Sequence, residues 1–160
     1  MNRLAFLYLI LYIGGCAALA GDFLVRVDLS GAQIADIRFG CAEKATDGYD
    51  AKLDIFAPPM GMGTGIVGMV NPEPTLPSYY KDVRSMKLPQ TWSLRCEPLK
   101  GGKPIVLKWD AAQLPSDVKL TLTAGKEKLD MRTKSEFAVK RKTIVSFVAE
   151  RPASVGAAEP

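Results

Sequence analysis

The chain has 160 residues and no histidine. Without imidazole there is no Ser-His-Asp or Cys-His nucleophile pair, no histidine general base and no His-ligated zinc. Cysteine is scarce too: Cys16, Cys41 and Cys96 include no C-x-x-C pair, so a catalytic or redox thiol has no motif to rest on. No long basic run suits a nucleic-acid backbone, and the formal charge is a mild +4. Internal repeats are absent, and beyond the N-terminal segment no long stretch has helical periodicity. Glycines cluster in Met60-Gly61-Met62-Gly63-Thr64-Gly65, but no Gly-Lys-Ser/Thr or opening helix follows. A phosphate cradle is therefore excluded in favour of a rim loop.

What remains is a chain of ordinary globular composition, 48% hydrophobic and 24% charged, with one domain's length. Its N-terminus reads as an export signal. Arg3 supplies a positive start, Leu4 to Ile13 is uninterrupted and apolar, and Ala18-Leu19-Ala20 has the small-x-small spacing of a cleavage site. Residues 1–20 are thus expected to be a signal peptide, with an uncleaved anchor as the alternative. The product would reside in the periplasm, at the cell surface or outside the cell. Ile13-Gly14-Gly15-Cys16 also looks like a lipobox. Once the signal segment is cleaved, lipidation of Cys16 is the one route by which the chain would be held at a membrane. In an oxidising compartment Cys41 and Cys96 are an even pair, expected to form a disulfide; two buried free thiols are the alternative.

The rest alternates with period two. Phe23, Val25, Val27 and Leu29 fall on one strand face, and Ile37, Phe39 and Cys41 on the next. Trp92, Leu94 and Cys96 follow, then Ile105, Leu107 and Trp109, then Val118, Leu120 and Leu122. Leu129, Met131, Phe137, Val139 and the run Thr143 to Val148 complete the set. Ser30-Gly31, Leu99 to Gly102 and Gly125-Lys126 read as turns, the middle one as a hairpin. The expected fold is all-β: a two-sheet β-sandwich, immunoglobulin-like or related, of roughly seven to nine short antiparallel strands. The domain would span residues 21–149, with a disordered tail over 150–160. An unpaired edge strand around residues 66–70 would favour a protein partner.

The chemically distinctive stretch is the connection from Phe39 to Pro59, which carries Asp47, Asp50 and Asp54. These carboxylates suit a recognition loop or a Ca²⁺ site, since calcium prefers hard oxygen ligands. The spacing is not an EF-hand, and the alternative is that they satisfy turn amides or pair with Arg84 and Arg132. No other metal or cofactor is expected. A glycosidase carboxylate pair is a remote third reading. Tyr79 and Tyr80 are a candidate aromatic patch for stacking on sugar, although neighbours in a strand face opposite ways. Lys126, Lys128, Arg132, Lys134, Lys140, Arg141 and Lys142 make the last hairpins basic. That is either a solvated face or a surface for acidic polymer or lipid headgroups.

In order, Phe39-Gly40, Ala45-Thr46-Asp47-Gly48-Tyr49-Asp50, Asp54, Pro58-Pro59 and Lys81-Asp82-Val83-Arg84 make a recognisable series. It continues through Trp92, Val106-Leu107-Lys108-Trp109-Asp110, Leu114-Pro115 and Leu129-Asp130-Met131-Arg132. The series resembles a β-sandwich module recurring in large secreted bacterial proteins and covers residues 23–148; the Cys41/Cys96 pair departs from its pattern. The resemblance implies no enzymatic activity. The expected role is a structural or protein-interaction component of a bacterial envelope or extracellular assembly. A carbohydrate-binding module for a cell-surface or environmental polysaccharide is the alternative. Cys16→Ser distinguishes the two processing routes. It should release the protein from membranes if the lipobox is used; under simple cleavage, N-terminal sequencing should begin at Gly21 and the variant should change nothing.

Overall fold

The computed structural model describes residues 21–59 and 64–152. The expected signal segment, Cys16, most of the glycine-rich run and the end of the tail lie outside the described residues. Within them the chain is all-β, with eleven strands. The first six are β1 (Phe23–Ser30), β2 (Asp36–Cys41), β3 (Ile55–Phe56), β4 (Ile66–Met69), β5 (Tyr79–Arg84) and β6 (Gln90–Glu97). They are followed by β7 (Ile105–Lys108), β8 (Lys119–Ala124), β9 (Glu127–Asp130), β10 (Glu136–Val139) and β11 (Thr143–Glu150). Glu150, expected in the tail, instead ends β11 opposite Lys119.

The strands form one curled, mixed sheet in the order β10-β7-β1-β2-β5-β4-β6-β11-β8-β9, with β3 added to β5. The count exceeds the expected seven to nine because short pieces such as the two-residue β3 have no periodicity to betray them. One pair departs from the antiparallel expectation: β2 and β5 run parallel, Arg38 opposite Lys81 and Cys41 opposite Arg84. A parallel pair needs a long crossover, and residues 42–78 supply it. Residues 66–69 present no unpaired edge strand. β4 is interior, paired along its length with β6 and touching β5 at Met69. Leu99 to Gly102 does not close a hairpin either. β6 and β7 are not neighbours, and the link carries the chain from one half of the sheet to the other.

Strand alternation decides what is buried. Val27, Ile37, Phe39, Leu94, Leu107, Leu122 and Phe147 are fully enclosed in one contiguous core. Trp92 and Trp109 both belong to it, and Trp109 Nε1 donates to the Met131 carbonyl at 2.7 Å. Phe39 stacks on Phe147 at 4.6 Å between ring centres and meets Trp92 at 5.0 Å. At Gly40, opposite Leu24, a Cβ would collide with the Phe23 carbonyl, so only glycine lets β1 and β2 approach there.

The expected Cys41–Cys96 bridge is not formed: both cysteines are free and buried. Cys41 lies opposite Phe23 and Arg84, Cys96 opposite Val67 and Thr143, and each thiol packs as a small apolar group in the core. Burial pushes both thiols up to about 12, with the charge of Asp47 adding to the effect at Cys41. Few thiolates then exist at neutral pH. Maleimide should therefore leave Cys41 and Cys96 unlabelled in the folded protein and label both in urea, read by peptide mass mapping without prior reduction.

Candidate functional site

The loop from Ala42 to Asp54 does not hang free. It is sewn along the outer edge of β5. Its entry continues the parallel ladder, with Ala42 N–H donating to the Arg84 carbonyl at 2.9 Å. A turn follows, in which Ala45 N–H reaches the Ala42 carbonyl at 3.1 Å and the Ala45 side chain is buried.

Each aspartate then accepts from the chain itself. Asp47 Oδ1 receives the Ser85 hydroxyl at 2.6 Å, the Ser85 N–H at 3.2 Å and the Gln90 side-chain amide at 3.0 Å. The Ser85 hydroxyl is the leading reason its carboxyl sits below the ordinary range. Asp50 Oδ1 accepts the Lys52 N–H at 3.0 Å, an Asx turn that starts the descent to β3. Asp54 is 5% exposed; its two oxygens take the Asp50 N–H at 2.6 Å and the Val83 N–H at 2.8 Å. Both bonds favour the ionised form, yet burial outweighs them and raises its pKa.

The three carboxylates share one task. β3 pairs with β5 at Lys81 and is too short to go further. Asp54 takes the next outward N–H on that edge, at Val83, and Asp47 the one after, at Ser85. Side chains thus extend the ladder where strand main chain runs out, which keeps a sheet edge from presenting bare donors. The loop does not pool its acids: among the described residues no group of three or more Cys, Asp or Glu side chains could hold a metal ion. Arg84 is not their partner. It forks onto Asp82, donating to Oδ2 at 2.9 Å, bonds the Thr91 carbonyl at 2.8 Å and lies 5.6 Å above the Trp92 ring. Arg132 donates to the Pro115 carbonyl.

Tyr79 and Tyr80 do not make one patch. Tyr79 is 2% exposed and ends a stacked row, 5.5 Å from Phe56, which lies 4.6 Å from Tyr49. Tyr80 faces the other way, beneath Arg38 at 5.7 Å, and its hydrogen bond to Asp36 is the main reason its phenol is held above the usual range. Asp36 in turn is clamped by Arg26 at 3.1 Å and Arg38 at 3.3 Å. Among the described residues the exposed aromatic is Tyr49, 44% exposed. Sequence reading passes over it because it lies in a turn with no period; its stacking on Phe56 depends on the loop being pinned to β5.

No family model matches the chain, and comparison with curated proteins and with solved structures finds no match either.

Asp54→Ala strands the Val83 and Asp50 amides away from water and should cost about 2 kcal/mol in urea unfolding, since an orphaned buried donor costs roughly 1–3 kcal/mol. The two shifted carboxyls act in opposite senses with pH. Asp47, with its folded pKa depressed, stabilises above the unfolded carboxylate range, and that stabilisation is lost as pH falls through the folded value. Asp54, with its folded pKa raised, destabilises when ionised and is relieved as pH falls. Asp47→Asn should therefore weaken the protein at neutral pH and make it lose less stability on acidification than wild type. If calcium is bound instead, EDTA will lower the urea midpoint of the wild type; the hydrogen-bond geometry predicts no change.

Proposed function

We propose that this protein is an exported, non-enzymatic β-domain acting as a structural or interaction component of a bacterial envelope or extracellular assembly. The two halves of its curled sheet would serve as a sandwich-like frame. One observation carries the reading: the acid-rich loop is engaged in closing the outer edge of β5, while β9 and β10 end the sheet with main chain that pairs with nothing among the described residues. Edges of that kind suit recognition by strand pairing. The chemistry favours the same view, for the thiols are buried with raised pKa and the loop carboxylates are saturated with backbone donors. Export rests on the Arg3 to Ala20 pattern, and the likeness to modules of large secreted bacterial proteins points to the same compartment.

A carbohydrate-binding role has one observation in its favour. Tyr49 is exposed and backed by Phe56 and Tyr79, all within 15° of coplanar, which makes a rigid aromatic face of the sort sugars stack on. Cross-linked pull-down of the tagged protein from its native envelope separates the two. A stoichiometric protein partner is the expected result. A bait that returns alone, together with glycan-array binding abolished by Tyr49→Ala, would replace this reading with the carbohydrate one.

A further inference from the structure

The curled sheet does not close on itself. Its terminal strand β10 and the β8–β9 turn, through Ala124 and Glu127, border a cleft of about 670 Å³ that is also lined by Lys134 and by the link from Lys140 to Thr143. Residues 131–135 cross from β9 to β10 at one end. They are fixed by Trp109 Nε1 on the Met131 carbonyl and by the Met131 N–H on the Leu120 carbonyl at 3.0 Å. The floor is not wholly polar, since half-buried Phe137 and buried Val139 line it.

The ladder phase shows which main-chain groups face this opening. Trp109 N–H donates to the Ser135 carbonyl at 3.0 Å, and the register continues with Phe137 opposite Leu107 and Val139 opposite Ile105. Bonded pairs recur at every second residue of an antiparallel ladder, so these residues point their polar groups at β7. The N–H and C=O of Glu136 and Ala138 therefore face the cleft. Charge is just as one-sided. Segment 124–143 carries seven Lys or Arg against Glu127, Asp130 and Glu136, so its net +4 equals that of the entire chain. Glu136 is paired with Lys108 and Lys142 with Glu97. Lys134, Lys140 and Arg141 line the cleft with no ion-pair partner among the described residues.

We propose that this cleft docks an acidic, extended polypeptide segment, which adds as a strand to the free edge of β10. The inference rests on the protein-interaction reading and names the partner's chemistry. An acidic glycan or lipid headgroup could answer the cations, but only a peptide backbone answers the alternating donors and acceptors of Glu136 and Ala138 as well.

The test uses a short N-acetylated peptide alternating threonine and glutamate, titrated calorimetrically into the full folded chain. Ala138→Pro removes a cleft-facing N–H and no ladder bond, so the fold should survive, checked by an unchanged urea midpoint. Binding should fall about tenfold or more in Ala138→Pro and equally in the double charge reversal Lys140→Glu/Arg141→Glu. Backbone N-methylation of the peptide should abolish it. The amides of Glu136 and Ala138 should gain hydrogen-exchange protection in the complex. The proposal is overturned if the peptide does not bind, if N-methylation has no effect, or if a heparin oligosaccharide binds at Lys140 and Arg141 where the peptide does not. Should Ala138→Pro unfold, the charge reversal and the methylated peptide decide alone. Envelope pull-down with Ala138→Pro separates the two levels: loss of the wild-type partner supports the cleft, a retained partner overturns the cleft alone, and no partner for either protein overturns the interaction reading itself.

Discussion

Phe39 lies against both Phe147 and Trp92, and that contact bends the sheet. β2, which carries Phe39, is separated from β6 and β11 by β5 and β4 in the strand order. A flat sheet would hold these rings far apart; a curled one buries all three without exposure. Rings of this size contribute more to a core than any aliphatic neighbour, and removing one typically costs about 3–5 kcal/mol. The curl that buries these rings also leaves an open seam, where the ribbon's ends approach without joining.

β5 is where the parallel and antiparallel parts of the sheet meet, and its surroundings are correspondingly polar. On one side it pairs with β2; on the other, β3 and the aspartate side chains take its outward amides in turn. Asp82 and Arg84, both on β5, neutralise one another, only 5% and 13% exposed at the side chain. A buried pair of that kind rarely adds much net stability, because desolvation offsets attraction. Its value here is geometric: the Arg84 guanidinium, fixed by Asp82 and Thr91, lies over the Trp92 ring and links the polar edge to the aromatic core.

Much of the fold was legible in the alternation of apolar residues. The inward sets Ile37, Phe39 and Cys41; Trp92, Leu94 and Cys96; and Ile105, Leu107 and Trp109 are all buried as their periodicity requires. Pairing was not legible, because period two says which face a residue occupies and nothing about which strand lies beside it. Hence a link rich in glycine looked like a hairpin and proved to be a crossing, and two cysteines in phase with the core each lie opposite other residues. The aspartates of the long loop do what the alternative reading of them asked, accepting from backbone amides. Which amides they serve depends on β5, brought in from beyond Pro77. The cleft between β9 and β10 left only its charge in the sequence; its exposed main chain is a property of the ladder phase.

The parallel join between β2 and β5 also bears on how the chain reaches this state. The β1–β2 and β8–β9 hairpins are local, so their ends meet quickly. β2 can meet β5 only after the intervening crossover has been gathered in, and β1 finds β7 from still farther along the chain. Closing such loops exacts entropy before any contact rewards it, and topologies dominated by distant pairings fold slowly, commonly in milliseconds to seconds. The loop aspartates hold that crossover against β5 once it arrives. They act as a latch on one of the distant partnerships of the molecule, and weakening them would show in the lifetime of the folded state as much as in its equilibrium stability.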